Sequence, residues 1–139
     1  MNKDRSVIVL LMQIIHAHYL YNFSKLEKVA MHPKQFPLLR LIFEYPGLNQ
    51  RELAERLNIK PPTVAVSIKR LEKAGFVERK QDENNLRISR IYLTDKGTEV
   101  MELGREIIAE EEKTALQDFT PEEKTLLLEF LKRIKYNLS

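Results

Sequence analysis

From Ser6 to Phe23 the chain reads SVIVLLMQIIHAHYLYNF, apolar around most of a helical circumference rather than along one stripe. That pattern predicts a helix over about 6–28 that needs cover on most of its sides, ended by His32-Pro33. A second helix is expected over about 36–45, with Pro37 in its first turn, Leu38, Leu39, Ile42 and Phe43 on its apolar side, and Pro46-Gly47 closing it. Asn49 followed by Glu52 has the spacing of a capping box, in which each side chain covers a backbone donor of the first turn. The short helix that follows turns Leu53, Ala54 and Leu57 inward.

After a turn at Asn58–Lys60 come two prolines, tolerated together only in a first helical turn, where the N–H groups lack intrahelical partners. Val64, Ile68 and Leu71 then recur at i, i+4 and i+7, and Gly75 supplies the left-handed residue that ends a helix. FVERKQ and ISRIYLT alternate as strands around a polar loop too long for a tight turn. Thr94 caps a long acidic helix over about 95–117. Thr120, Pro121 and Glu123 open a last helix to about 137, rich in Leu126, Leu127, Leu128, Phe130, Leu131 and Ile134.

This order predicts a mostly α protein with a small β-wing: a winged helix-turn-helix with N- and C-terminal dimerisation helices. We expect a single domain over 1–139, its core at about 33–97 and its dimerisation helices at about 1–30 and 100–139. The terminal helices carry more apolar surface than so small a domain covers. Val7, Leu10, Leu11, Ile14, Leu127, Leu131 and Ile134 are therefore assigned to an interface with a second copy.

Charge sharpens the picture. The net charge is +3, yet residues 49–93 hold ten Lys/Arg against six Asp/Glu, and residues 94–118 hold three against eight. A basic centre beside an acidic helix suits a polyanionic partner. The absence of Cys excludes a disulfide framework, a thiolate metal site and a cysteine-based redox sensor within this chain. His16, His18 and His32 form no convincing ligand set, so no metal and no cofactor are expected. The continuous apolar run is only Val7 to Met12 before Gln13, His16 and His18 interrupt it. A bilayer needs about 18 uninterrupted apolar residues, so we expect a soluble, cytoplasmic protein with no membrane segment. Paired carboxylates, a nucleophile beside a base and a glycine-rich phosphate loop are missing as motifs, and Gly47, Gly75, Gly97 and Gly104 fit turns or helix structure. No enzymatic activity is expected.

QRELAERL, PPTV, IKRLEKAGFVER and the stretch from Asp82 to LTDKG at 93–97, in this order and spacing, resemble the DNA-binding core of the MarR family of transcriptional regulators. The resemblance implies a homodimer that binds double-stranded DNA at a short near-palindrome, usually as a repressor displaced by a small ligand or other signal. It places Pro62, Thr63, Ala65 and Val66 toward base edges, and Lys69, Arg70, Lys73, Gln50 and Arg51 toward phosphates. Arg87 matches the wing arginine used at the minor groove, with Lys80, Asn84 and Arg90 beside it. Two positions depart from the family pattern. Val66 stands where relatives often carry Arg, and the wing reads Asp82-Glu-Asn84-Asn85-Leu-Arg87 where Asp-x-Arg-Asp-x-Arg is common. Relatives that respond to aromatic acids bind them between the dimer helices and the DNA-binding lobe, which makes His16, Tyr19, Phe23 and Phe36 candidates for an effector site; core packing explains the same residues equally well. Winged helices also serve as protein–protein modules, an alternative that the cations on the exposed helix face and wing disfavour.

Overall fold

The computed structural model describes residues 5–28 and 31–139. The elements run α1 (Val7–Glu27), a short 3-10 turn (Pro33–Gln35), α2 (Phe36–Glu44), α3 (Gln50–Leu57), α4 (Pro61–Lys73), β1 (Val77–Gln81), β2 (Ser89–Leu93), α5 (Asp95–Ala115) and α6 (Pro121–Leu138). The chain divides into two compact units, Met1–Ile107 and Ile108–Ser139.

In the first unit, local chemistry sets the element ends as expected. Asn49 accepts from the Glu52 backbone N–H at 2.8 Å while the Glu52 carboxylate accepts from Asn49 N–H, completing the capping box of α3. Asn58 takes the left-handed conformation just after α3, and Gly75 does so after α4. α2, α3 and α4 pack their apolar stripes together: Leu38, Leu39, Ile42, Leu53, Ala54, Val64, Ile68 and Leu71 are buried with Phe76, Val77 and Ile91 of the strand segment.

β1 and β2 pair antiparallel with Val77 opposite Leu93 and Gln81 opposite Ser89. The end of the α2–α3 connection joins this sheet, since Gly47 N–H donates to Ile91 C=O and Ile91 N–H donates to Leu48 C=O, both at 3.0 Å. No sequence signal marked these two residues as a third edge. Their effect is to fix the wing to the helical body.

The first turn of α5 closes over the strand segment. Thr94 Oγ1 donates to Gly75 C=O and accepts from Gly97 N–H at 3.1 Å, and Lys96 Nζ donates to Ala74 C=O at 2.8 Å. Together these satisfy carbonyls left open at the end of α4. Gly97 is more than a helical glycine: a Cβ there would collide with the Phe76 carbonyl oxygen. Gly104 is likewise a close-approach position, where a Cβ would overlap the Phe36 ring.

α1 differs in kind. Ser6 caps it by accepting from Val9 N–H at 3.3 Å, but only Asn22 and Leu26 among its described residues are buried. By length and composition alone α1 is apolar enough to cross a membrane. The second unit contains α6, which starts at a complete Thr120–Glu123 capping box and buries none of its residues in the protomer. Leu126, Leu128 and Phe130 are about as exposed as Val7, Leu10 and Ile14 of α1.

The Gly97 packing generates a stability prediction. Gly97→Ala must displace backbone at Phe76 and is expected to lower the unfolding free energy by about 1–3 kcal/mol, read as a reduced urea midpoint. An unchanged midpoint contradicts the close packing of α5 on the strand segment.

Candidate nucleic-acid interface

α4 buries Val64, Ile68 and Leu71 and turns the opposite face outward. At about 100° per residue, Pro62, Thr63, Val66, Lys69, Arg70 and Lys73 fall within an arc of roughly 120°, and all six are exposed. Ala65 flanks this arc and is half-buried. Lys69, Arg70 and Lys73 have no acidic partner among the described residues, so their charge faces solvent.

The turn between the strands projects Asp82–Ile88. Asp82 N–H donates to Ile88 C=O at 2.9 Å, Ile88 N–H donates to Asn85 C=O at 3.0 Å, and the Asn85 side chain accepts from Arg87 N–H at 3.1 Å. Asn85 therefore folds the tip by capping its own backbone, as asparagine commonly does in turns. The Arg87 side chain is left exposed with no ion-pair partner among the described residues, and Asn84 is exposed beside it.

Gln50, Arg51 and Arg87, drawn from separate segments, come together. With Asn49, Arg79, Ile88 and Ser89 they line a groove of about 320 Å³ between the start of α3 and the root of the wing. Arg51 also reaches Glu55 at 3.3 Å, one turn along α3, with both side chains largely in solvent. Such an exposed pair is worth little and leaves the guanidinium available.

Arg79 is the residue that sequence reasoning missed. Its Nε donates to Glu72 of α4 at 3.0 Å. With the Gln50 amide oxygen turned toward it, both terminal nitrogens donate to that oxygen at 2.9 Å. One guanidinium thereby links β1, the last turn of α4 and the start of α3. The seven-residue step to Glu72 crosses from helix to strand at Gly75, and the reach to Gln50 is longer still, so no local period announces the link.

Two other candidate cations are partly committed elsewhere. Arg90 is half-buried, donating from Nη1 to Gly47 C=O at 2.9 Å and lying 3.5 Å from Asp82, so it braces the root of the wing. Lys80 sits 3.5 Å from Glu78 and stacks its ammonium over the Tyr92 ring at 5.1 Å.

The candidate effector residues separate. Tyr19 and Phe23 of α1 gather around His32, with Tyr19 Oη 3.1 Å from His32 Nε2 and Phe23 edge-on to the imidazole at 6.0 Å. His16 is exposed on α1, while Phe36 is buried with its ring against Gly104. Among the described residues there is no cluster of three potential metal ligands.

A helix with a cationic outer face, a preceding capped helix and a β-wing bearing a projecting arginine define the winged helix-turn-helix class. The model of the MarR family matches residues 31–89. The uncharacterized HTH-type transcriptional regulator YybA of Bacillus subtilis is 36% identical over 104 residues, covering 75% of this chain and 69% of YybA. A MarR protein from Peptoclostridium difficile is 30% identical, with a TM-score of 0.86 over 97% of this chain and 88% of that one. The fold is shared with the crystal structure of the S. aureus MepR–DNA complex, at 24% identity and a TM-score of 0.85 over the full length of both chains. The chain belongs to the MarR family and is a DNA-binding transcriptional regulator.

Arg79→Ala removes the link between α3, α4 and β1. Because the Arg79 and Glu72 side chains are each about a third exposed, screening limits the loss, and we expect about 1 kcal/mol of stability. Urea unfolding measures it; a variant as stable as the parent argues against the link.

Proposed function

We propose that this protein is a homodimeric repressor of the cytoplasm that grips a short near-palindromic operator and lets go when a small ligand or other signal changes the dimer's geometry. The observation that carries the DNA part is the pairing of an unneutralised cationic face on α4 with the arginine-lined groove at the wing root. A helix fits the major groove, and flanking cations on the backbone fix its register. In this reading Pro62, Thr63, Ala65 and Val66 meet base edges. Lys69, Arg70, Lys73, Gln50 and Arg51 lie along phosphates, and Arg87 enters the minor groove with Asn84 at its side. Lys80 and Arg90 act mainly by shaping the wing. The MepR–DNA complex supports this use of the shared fold.

The dimer rests on a separate observation. Val7, Leu10 and Ile14 are more than half exposed in the protomer, and Leu131 and Tyr136 of α6 are exposed as well. Apolar surface of this kind, on each of the two helices, marks an interface. A second copy covers it symmetrically and repeats the recognition helix about one DNA turn away. The same cover explains why α1 is apolar without placing it in a membrane. For the effector, Tyr19 and Phe23 are the two expected residues that lie near one another, beside His32, which the sequence did not single out for this role. A ligand held there acts only by binding the DNA-competent and incompetent geometries with different affinity.

Fluorescence anisotropy on a duplex obtained by selection from random sequence tests the DNA reading. Binding is expected to weaken steeply with salt, with a log–log slope of about −0.9 per phosphate neutralised. Arg87→Ala is expected to cost about 1–3 kcal/mol per half-site while leaving the dimer intact. A flat salt response, or unchanged affinity of the variant, contradicts these roles.

Sedimentation equilibrium tests the assembly. Ile14 is 53% exposed in the protomer and lies outside its buried core, so Ile14→Asp disturbs the protomer's own packing little and is expected to shift the dimer toward monomer. A parent protein that is monomeric at micromolar concentration would refute the dimer.

A further inference from the structure

The outer face of α4 is divided along its length, and the division bears on which DNA it reads. Its first two turns present Pro61, Pro62, Thr63, Ala65 and Val66; apart from Lys60 at the N-cap, before the helix proper, the cations begin one turn on, at Lys69. At about 1.5 Å per residue, Lys69 lies about 4.5 Å beyond Val66 along the axis. Recognition helices meet base edges with their N-terminal residues, which here are almost entirely hydrocarbon.

The backbone offers no alternative at that end. Pro61 and Pro62 carry no N–H, while Thr63 and Val64 both donate to Lys60 C=O, at 3.0 and 3.3 Å. The first turn of α4 therefore has no free donor for a base or a phosphate. Among side chains, a bidentate reader of guanine is Arg or Lys, and a bidentate reader of adenine is Asn or Gln. α4 contains no Asn or Gln, and its one arginine is Arg70, in the later half. Thr63 hydrogen-bonds to either kind of base and so discriminates little. What remains is Val66, 50% exposed in the middle of the face, with Pro62 and Ala65 beside it.

Resting on the DNA-binding reading above, we infer that the first half of α4 is a methyl reader: Val66, with Pro62 and Ala65, packs against thymine C5-methyl groups, and the operator half-site is selected for thymine there. Apolar contact with that methyl is the one discriminating base-edge interaction open to this surface, since the Thr63 hydroxyl bonds to either kind of base. Discriminating hydrogen-bond readout is left to positions reached by Lys60 or by the later cations.

The test separates the methyl from every hydrogen bond. A duplex selected from random sequence is remade with each half-site thymine replaced in turn by deoxyuridine, which keeps the pairing and all polar edge atoms. For each contacted methyl the dissociation constant is expected to rise about fourfold, the equivalent of one buried methylene, and about 16-fold when both half-sites are changed. Val66→Ala is expected to bring the thymine-to-deoxyuridine ratio toward one at the same positions, as a double-mutant cycle isolates, with the salt slope unchanged. Three results overturn the inference alone: selected half-sites without thymine, full affinity for the deoxyuridine duplex, or a ratio that Val66→Ala and Pro62→Ala both leave intact. Failure to select any duplex, with no salt-sensitive binding, overturns the DNA-binding reading itself and this inference with it.

Discussion

The orientation of α4 depends on one close contact, that of the Phe76 backbone with the first turn of α5. Phe76 is fully buried, and its carbonyl leaves no room for a side chain at position 97. Gly75, just before it, adopts the left-handed conformation that reverses the chain out of α4. Its carbonyl is held by Thr94 and that of Ala74 by Lys96. The end of α4, the start of β1 and the start of α5 therefore share one set of satisfied backbone groups. The exposed face of α4 stands at a fixed angle because its buried end has nowhere else to go.

Charge on this face is a matter of which acids are already occupied. Glu52 is spent on the α3 cap, Glu55 reaches Arg51, Glu72 holds Arg79, Glu78 meets Lys80, and Asp82 meets Arg90. These pairs lie on α3, at the wing root or on the flank of α4. None reaches Lys69, Lys73 or Arg87. A net charge of +4 spread evenly over residues 49–93 is unremarkable; the same charge with five of its six anions drawn aside, all but Glu83 in the wing turn, leaves a more concentrated potential for a polyanion.

The departures from the family pattern acquire structural meaning. Asn85 replaces an acid that is common in the wing, yet it still folds the tip by accepting from Arg87 N–H. The loop therefore keeps its shape, although position 84 carries an amide in place of a cation. Val66 makes the middle of the exposed face of α4 apolar and leaves the helix and its buried stripe undisturbed. One position exchanges a cation for an amide, and the other, in the reading proposed above, changes what the helix recognises.

Local signals in the sequence determined much of the architecture. The two capping boxes, the Pro61–Pro62 helix start and the Gly75 stop each depend on residues within four positions of one another, so their outcome is set before the chain folds. Helix faces were equally legible, because the 3.6-residue period of Val64, Ile68 and Leu71 states which side goes inward. Tertiary structure alone decided what meets across long separations. It brought Gly47 and Leu48 to the sheet edge and joined Arg90 to Gly47 across 43 positions. It also made Arg79 a tie among three elements and Gly104 the seat of the Phe36 ring. No period relates such partners, since a contact between distant segments depends on where the packed core delivers each one. The chemistry of the exposed face of α4 was written in the order of its residues; the bracing of that helix to α3, the wing and α5 came only with the fold.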